Sequence, residues 1–170
     1  MAEVKSLLSA INFQFPISDL GRIEYFDIAH LAGSFPTASM VVAIDGTPDS
    51  KYYRHFKINQ KKSNSDVDSM REVITRRLNH LDDWGRPDLI VIDGGKPQLS
   101  AVHDLLEEAS IPFIGLAKQF ETIVIRKKDG EFIEIKARGG ALNLLQRIRD
   151  EAHRFARRLH HKQLKKDLLG

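Results

Sequence analysis

One unbroken apolar run, Leu89-Ile90-Val91-Ile92, is closed by Asp93-Gly94-Gly95-Lys96. A short run of branched side chains, bounded by Pro87 and a glycine pair, predicts a strand covered on both faces; a helix would need more length. Such a strand would hold Asp93 at its carboxyl end, where side chains of an α/β sheet face a crevice. Upstream, Ile23 to His30 alternates as a strand, with Ile23, Tyr25, Asp27 and Ala29 on one face and Phe26 and Ile28 on the other. Thr37 to Ile44 is a second β-branched run, reached through a turn at Gly33-Ser34. Asp45-Gly46 is a hairpin signal before a third strand at Lys51 to Ile58.

Helical spacing takes over after a polar loop at Asn59 to Ser65. Met70, Val73, Ile74, Leu78 and Leu81 share one face of a helix beginning near Asp66, and Leu99, Val102, Leu105 and Leu106 mark another. Pro112 to Ala117 reads as a short strand, and Thr122–Ile125 and Glu131–Ile135 as a hairpin around Asp129-Gly130. The last helix runs from about Ala141 to the end on a stripe of Leu145, Ile148, Ala152, Phe155 and Leu159. A short helix over Ala2 to Ala10 and a linker over Asn12 to Gly21 precede all of this. Three meandering strands followed by alternating helices and strands is the order of an α/β, ribonuclease H-like mixed sheet with helices packed on it. The expected division is a helix and linker at 1–20, one domain at 21–161, and a basic tail at 162–170.

Composition narrows the chemistry. In 170 residues, 42% hydrophobic and 29% charged, there is room for one sizeable core. Cysteine is absent, which excludes disulfides, thiolate metal sites and cysteine nucleophiles. No long apolar run or signal-peptide pattern is visible, so no membrane role is expected, and a cytoplasmic location is. The net charge of +3 is modest but unevenly spread. Arg147, Arg149, Arg154, Arg157, Arg158, Lys162, Lys165 and Lys166 crowd the last helix, with a smaller run at Lys57, Lys61 and Lys62, a distribution suited to a polyanion.

Two acids stand out against that background. Asp27, between aromatic and branched neighbours, is costly to bury unless paired or bound to metal; alone it is as readily a salt-bridge partner. Asp93 alone would be read as the cap of the next helix. Together, Asp27 in the middle of the first strand and Asp93 at the end of another match the hard-oxygen preference of Mg²⁺ or Mn²⁺. Asp66 and Asp68 open a helix, where N-capping and the helix dipole explain an acid well. His153 borders the apolar stripe of the last helix, on a flank shared with Gln146, Arg149, Arg157 and His160.

Three motifs in order carry a resemblance: Arg22-Ile23-Glu24-Tyr25-Phe26-Asp27-Ile28-Ala29-His30, Leu89 to Leu99 around Asp93-Gly94-Gly95-Lys96, and Ile148 to Ala156 around His153. With Tyr53 to Ile58, Asp66 to Arg77 and Ile114 to Lys118 between them, the chain resembles the ribonuclease H-like endonuclease domain of the UvrC family over roughly Leu20 to His161. The family usually has serine at Ala29 and glycine at Pro97.

That resemblance implies a metal-dependent DNA endonuclease making the 5′ incision next to a lesion in bacterial nucleotide excision repair. It places an aspartate–aspartate–histidine set on Asp27, Asp93 and His153, and a further functional acid on Asp66. It implies Mg²⁺ or Mn²⁺ as cofactor, lesion-bearing double-stranded DNA as substrate and a UvrB-type partner. Lys96, Arg149 and Arg154 would then contact phosphates, with Arg157 and Lys162 on the same basic track. Full-length members also carry a GIY-YIG nuclease module, a UvrB-binding segment and a helix-hairpin-helix pair. None is visible here, so an excised domain, one piece of a split protein or a stand-alone relative is expected. The alternatives are a structure-specific nuclease outside repair and a catalytically silent nucleic-acid adaptor.

Overall fold

The computed structural model describes residues 1–30, 36–59, 65–117 and 121–169, without the side chains of 163–164 and 166–169. The expected turn at Gly33-Ser34, most of the polar loop, and Lys61, Lys62 and Lys118 lie outside the described residues.

The elements run α1 (Ala2–Ile11), β1 (Arg22–Ala29), β2 (Thr37–Ile44), β3 (Thr47–Pro48), β4 (Arg54–Lys57), α2 (Asp66–Leu78), α3 (Leu81–Trp84), β5 (Leu89–Asp93), α4 (Lys96–Glu108), β6 (Phe113–Leu116), β7 (Thr122–Arg126), β8 (Phe132–Lys136) and α5 (Gly139–Leu169). The eight strands form one mixed sheet ordered β3-β2-β1-β5-β6-β7-β8, with β4 also paired to β2. β5 runs parallel to β1 and β6, and the remaining pairs are antiparallel. This is the expected ribonuclease H-like order, extended by the β7–β8 hairpin.

Burial follows from the patterns. Leu89, Ile90, Val91 and Ile92 are fully buried, as a central parallel strand requires. β1 departs from simple alternation: Ile23 through Asp27 are buried on both sides. Residues three apart on a strand face opposite ways. Glu24 accordingly meets Arg77 of α2, while Asp27 meets His153 of α5. Thus α2 and α4 cover one face, and α5, with α1 against it, covers the other.

Two expected elements break up. In place of one strand at Lys51 to Ile58, Asp49 accepts a hydrogen bond from the Lys51 N–H, a 3-10 turn spans Ser50–Tyr52, and only Arg54–Lys57 pairs with β2. The helix expected to include Leu81 stops at Leu78. Buried Arg77 donates to the carbonyls of His80 (3.2 Å) and Gly85 (2.5 Å), drawing the chain into the separate short helix α3. The hairpin signal at Asp45-Gly46 is realised with both residues at positive φ (50° and 82°), the geometry of a tight β2–β3 turn.

The first twenty residues join the same core. Val4, Leu7, Ile11 and Leu20 are buried in it. Ser6 Oγ accepts the Ala141 N–H at the start of α5 (3.1 Å), and Arg147 binds Glu3 at 2.6 and 2.8 Å. A Cβ on Gly140 would lie 3.1 Å from the Glu3 Cα, so glycine sets how closely α1 and α5 cross.

Candidate active site

The parallel pairing of β1 with β5 matches Phe26 to Ile92, so the next residue of each strand, Asp27 and Asp93, ends up at the same edge of the sheet. The turn after Asp93 must fold down at once for that carboxylate to stay at the lip. Gly94 does this at φ 146°, its N–H donating to the Leu116 carbonyl (2.9 Å). A Cβ on Gly115 beneath would come 2.8 Å from the Gly94 oxygen, so the descent needs glycine there as well. The Gln98 side chain then accepts the Gly95 N–H (3.1 Å), and α4 begins with Pro97 in its first turn.

α5 delivers the third group. One ligand atom each from Asp27, Asp93 and His153 lie within 4.8 Å of one another, the one such group among the described residues. His153 Nε2 is 3.8 Å from Asp27 Oδ2. Asp27 is 8% exposed, and His153 is open enough for a substrate to reach the set. Tyr25, two residues before Asp27 and itself buried, donates its hydroxyl to Asp93 Oδ1 at 2.7 Å.

The electrostatics are lopsided. Burial, and then the hydrogen bond and charge of Asp93, push the Asp27 carboxyl up to about 8, with Arg149 pulling the other way. Burial raises the Tyr25 hydroxyl, reinforced by Asp93, so it stays a proton donor. Burial and then Arg149 lower the His153 imidazole, which leaves it neutral with a free lone pair near neutral pH. Two carboxylates this close need a proton or a cation between them. The donor set, two hard oxygens and one imidazole nitrogen, suits Mg²⁺ or Mn²⁺. The residues fit such an ion.

The other expected site residues fall around this set. Asp66 is the first residue of α2 and its charge reaches Asp27, but it does not cap the helix: Ser65 Oγ does, accepting from Val67 and Asp68 N–H (3.1 and 3.4 Å). Asp66 instead hydrogen-bonds His30 Nε2. Arg149 acts on Asp27, Tyr25 and His153 alike, which puts it beside the set itself. Lys96 turns toward Glu134 (3.8 Å) and lies over the Phe132 ring. Arg154 is held by Glu151 (Nη2 to Oε2 3.0 Å), which also accepts from the Tyr53 hydroxyl (2.5 Å). Arg157 and Lys162 border a shallow basic depression with Arg158, His161 and Lys165.

Sequence reasoning missed Tyr25 and His30 as site groups and read Arg149 only as a phosphate contact. The usable signals were spacing: Tyr25 shares the face of Asp27 on β1, and Arg149 lies four residues before His153 on α5. A cavity of about 630 Å³ lies elsewhere, at the amino end of β5 among Phe15, Arg86, Asp88 and Ile111, and contains no comparable group.

A sheet of this order, with acids at the carboxyl ends of β1 and β5, places the molecule in the ribonuclease H-like class. The likeness extends to solved structures: a variant of Ciona intestinalis endonuclease V in complex with a 23mer DNA containing an inosine followed by a ribo-adenosine (TM-score 0.53, 15% identity, 97% of this chain and 95% of that chain), and human endonuclease V (TM-score 0.51, 13% identity, 84% and 87%). At these identities the likeness is one of fold.

The chain belongs to the UvrC family, its residues 14–156 matching the model of the UvrC RNAse H endonuclease domain. It is 45% identical over 152 residues to the UvrABC system protein C of Gloeobacter violaceus, covering 84% of this chain and 24% of that protein. The corresponding protein of Methanospirillum hungatei is 46% identical over 138 residues (79% and 26%), and that of Dehalococcoides mccartyi 39% over 179 residues (94% and 29%). The chain thus spans about a quarter of the length of the curated relatives it matches.

Proposed function

We propose that this chain is the hydrolytic module of a UvrC-type DNA endonuclease, cutting a phosphodiester on the 5′ side of a lesion during nucleotide excision repair with the help of Mg²⁺ or Mn²⁺. The supporting observation is the convergence of Asp27, Asp93 and His153, from three distant parts of the chain, on one small volume. Asp27 and Asp93 would hold the ion, with His153 as a third ligand or as acid–base group. Bound there, a hard divalent cation supplies positive charge to a scissile phosphate oxygen and acidifies a water.

The chain's own residues do the rest. Tyr25 keeps one oxygen of Asp93 occupied and so orients the other. His153, neutral near pH 7, is able to take a proton from the attacking water if it is not itself a ligand. Arg149 adds fixed positive charge where a phosphate would sit. Arg157 and Lys162 continue that charge along α5, and Lys96 and Arg154 would join only by leaving Glu134 and Glu151. Binding through such contacts depends on salt and little on sequence.

The family context adds a UvrB-type protein as the partner that presents damaged DNA, and the bacterial cytoplasm as location. The deciding experiment incubates the chain with a flapped or nicked, lesion-bearing duplex and Mn²⁺, with Asp93→Ala as control. Cleavage that needs the ion and Asp93 and leaves a 3′-hydroxyl is expected. The reading fails if no strand is cut, or if the variant cuts as well as the parent.

A further inference from the structure

The sheet register places a second group in line with the acid set. Asp27 pairs with Ser39 across β1–β2, and Ser39 pairs with His55 across β2–β4. Directly opposed residues of neighbouring strands point to the same face. Asp27, Ser39 and His55 therefore form a row, with His55 two strand spacings, about 10 Å, from the candidate hydrolytic centre. Ser39 is buried; His55 is exposed.

What surrounds His55 is built. Its ring lies face to face on Phe155 of α5, centroids 3.8 Å apart and planes at 12°. The Tyr53 ring meets Phe155 edge-on at 5.0 Å, and Tyr53 is itself anchored through its hydroxyl to Glu151. One face of the imidazole is thus backed by a fixed aromatic stack while the residue as a whole is exposed, which leaves the opposite face as the one a base could take. Burial, and then the charge of Lys162, push the ring down to about 4, so it is an uncharged aromatic surface near neutral pH. Lys162 also brings a cation beside it. An uncharged ring flanked by positive charge matches a nucleotide: the base stacks on the ring and the phosphate meets the lysine. A base inside an intact duplex has both faces occupied, so only an unstacked base can use such a surface.

We propose that the exposed face of His55, backed by Phe155, is a stacking platform for a DNA base that has left the helical stack close to the cut. The inference rests on the reading of the chain as a DNA endonuclease module, and it sharpens the substrate to DNA that is single-stranded or splayed beside the incision. His55 serves here as a binding residue; hydrolysis stays with the acid set.

The test compares two ligands of equal length and charge, a fluorescent oligothymidylate and an abasic deoxyribose-phosphate oligomer, by anisotropy in EDTA so that nothing is cut. The parent chain should bind the base-bearing strand roughly tenfold more tightly. His55→Ala should lose most of that preference yet keep its affinity for the abasic strand, and His55→Phe should restore it. His55→Gln, which keeps a polar side chain of similar reach, should behave like the alanine variant; thermal melting shows which variants are folded. A preference that is absent in the parent, or unchanged in folded His55→Ala and His55→Gln, overturns the platform while abasic-strand binding leaves the DNA reading standing. Failure to bind either strand overturns both.

Discussion

Glu24 and Asp27 sit three residues apart on β1, both buried, and the fold treats them in opposite ways. Glu24 is enclosed by cations: Arg77 reaches it with two hydrogen bonds (2.7 and 2.8 Å) and Arg22 with a third (2.8 Å). Arg77 is fully buried and gives two further donors to the carbonyls of His80 and Gly85. Asp27 faces another acid, with Arg149 opposing it, and its carboxyl is driven up toward neutrality. One acid was given its counter-charge by the chain, and the other was left to take a proton or an ion from outside. The first arrangement stabilises a face of the sheet; the second makes a candidate site.

Perturbing each acid separates the two roles. Arg77→Met strips Glu24 of its main partner and should lower stability by about 3–5 kcal/mol, a fall in Tm of roughly 6–20 °C. Pairing it with Glu24→Gln should recover much of that loss, as thermal melting would show. A small effect of the single change would mean that Arg22 alone suffices.

Asp27→Asn should do the reverse. Cleavage is expected to drop on the order of a thousandfold, since several kcal/mol of charge stabilisation depend on the ion it helps hold, while the ion-free protein melts at a higher temperature near pH 8. A variant that is inactive but less stable in EDTA would show that Asp27 is structural.

Tyr25→Phe removes only the hydroxyl that fixes Asp93. Mn²⁺ affinity should fall about tenfold or more with the fold intact, measurable by calorimetry without any turnover. Unchanged affinity would reduce Tyr25 to a packing residue.

The raised pKa of Asp27 also has a signed consequence for pH. Its folded form holds a proton that the unfolded carboxyl, near 3.8, gives up. The associated stability is complete below that value and is lost as pH climbs through about 8. Without divalent ions, Tm should therefore decline by on the order of ten degrees across that window, and the Asp27→Asn variant should lack this component. Mn²⁺, which replaces the proton, should raise Tm more at the alkaline end than at the acid end. An equal rise at both ends would remove the carboxyl pair as the binding site.

The smallest effect concerns the basic track. Arg157→Gln should reduce the salt slope of DNA binding by about one, whereas Arg154→Gln should reduce it by less, because Glu151 already engages that guanidinium. Equal slopes would mean that Arg154 abandons Glu151 on binding.

Much of the framework was legible because it rests on local rules. The apolar run ending at Asp93, the Asp45-Gly46 turn and the stripe of α5 each declare their element through period and turn chemistry. Family motifs then placed Asp27, Asp93 and His153 as candidates before any geometry was known. The mistakes fell where a distant side chain redirected the backbone. Arg77, buried against Glu24, drew the end of α2 into a separate turn, and the Asp49 side chain organised a 3-10 turn where a strand was expected. Asp66 was readable as a helix-start acid, but its partnership with His30 was not, since those residues are far apart in the chain.

From residue order alone came the strand and helix periods, an acid within one strand and another at the end of a second, the basic last helix and the absence of thiols, all properties of local sequence and composition. The tertiary structure decided which face of β1 each carboxylate occupies, that Tyr25 reaches Asp93, that Arg149 joins the acid set, and that His55 lies in register with Asp27. Those are distances between residues remote in sequence, and they exist only once strands have paired and α5 has packed across them.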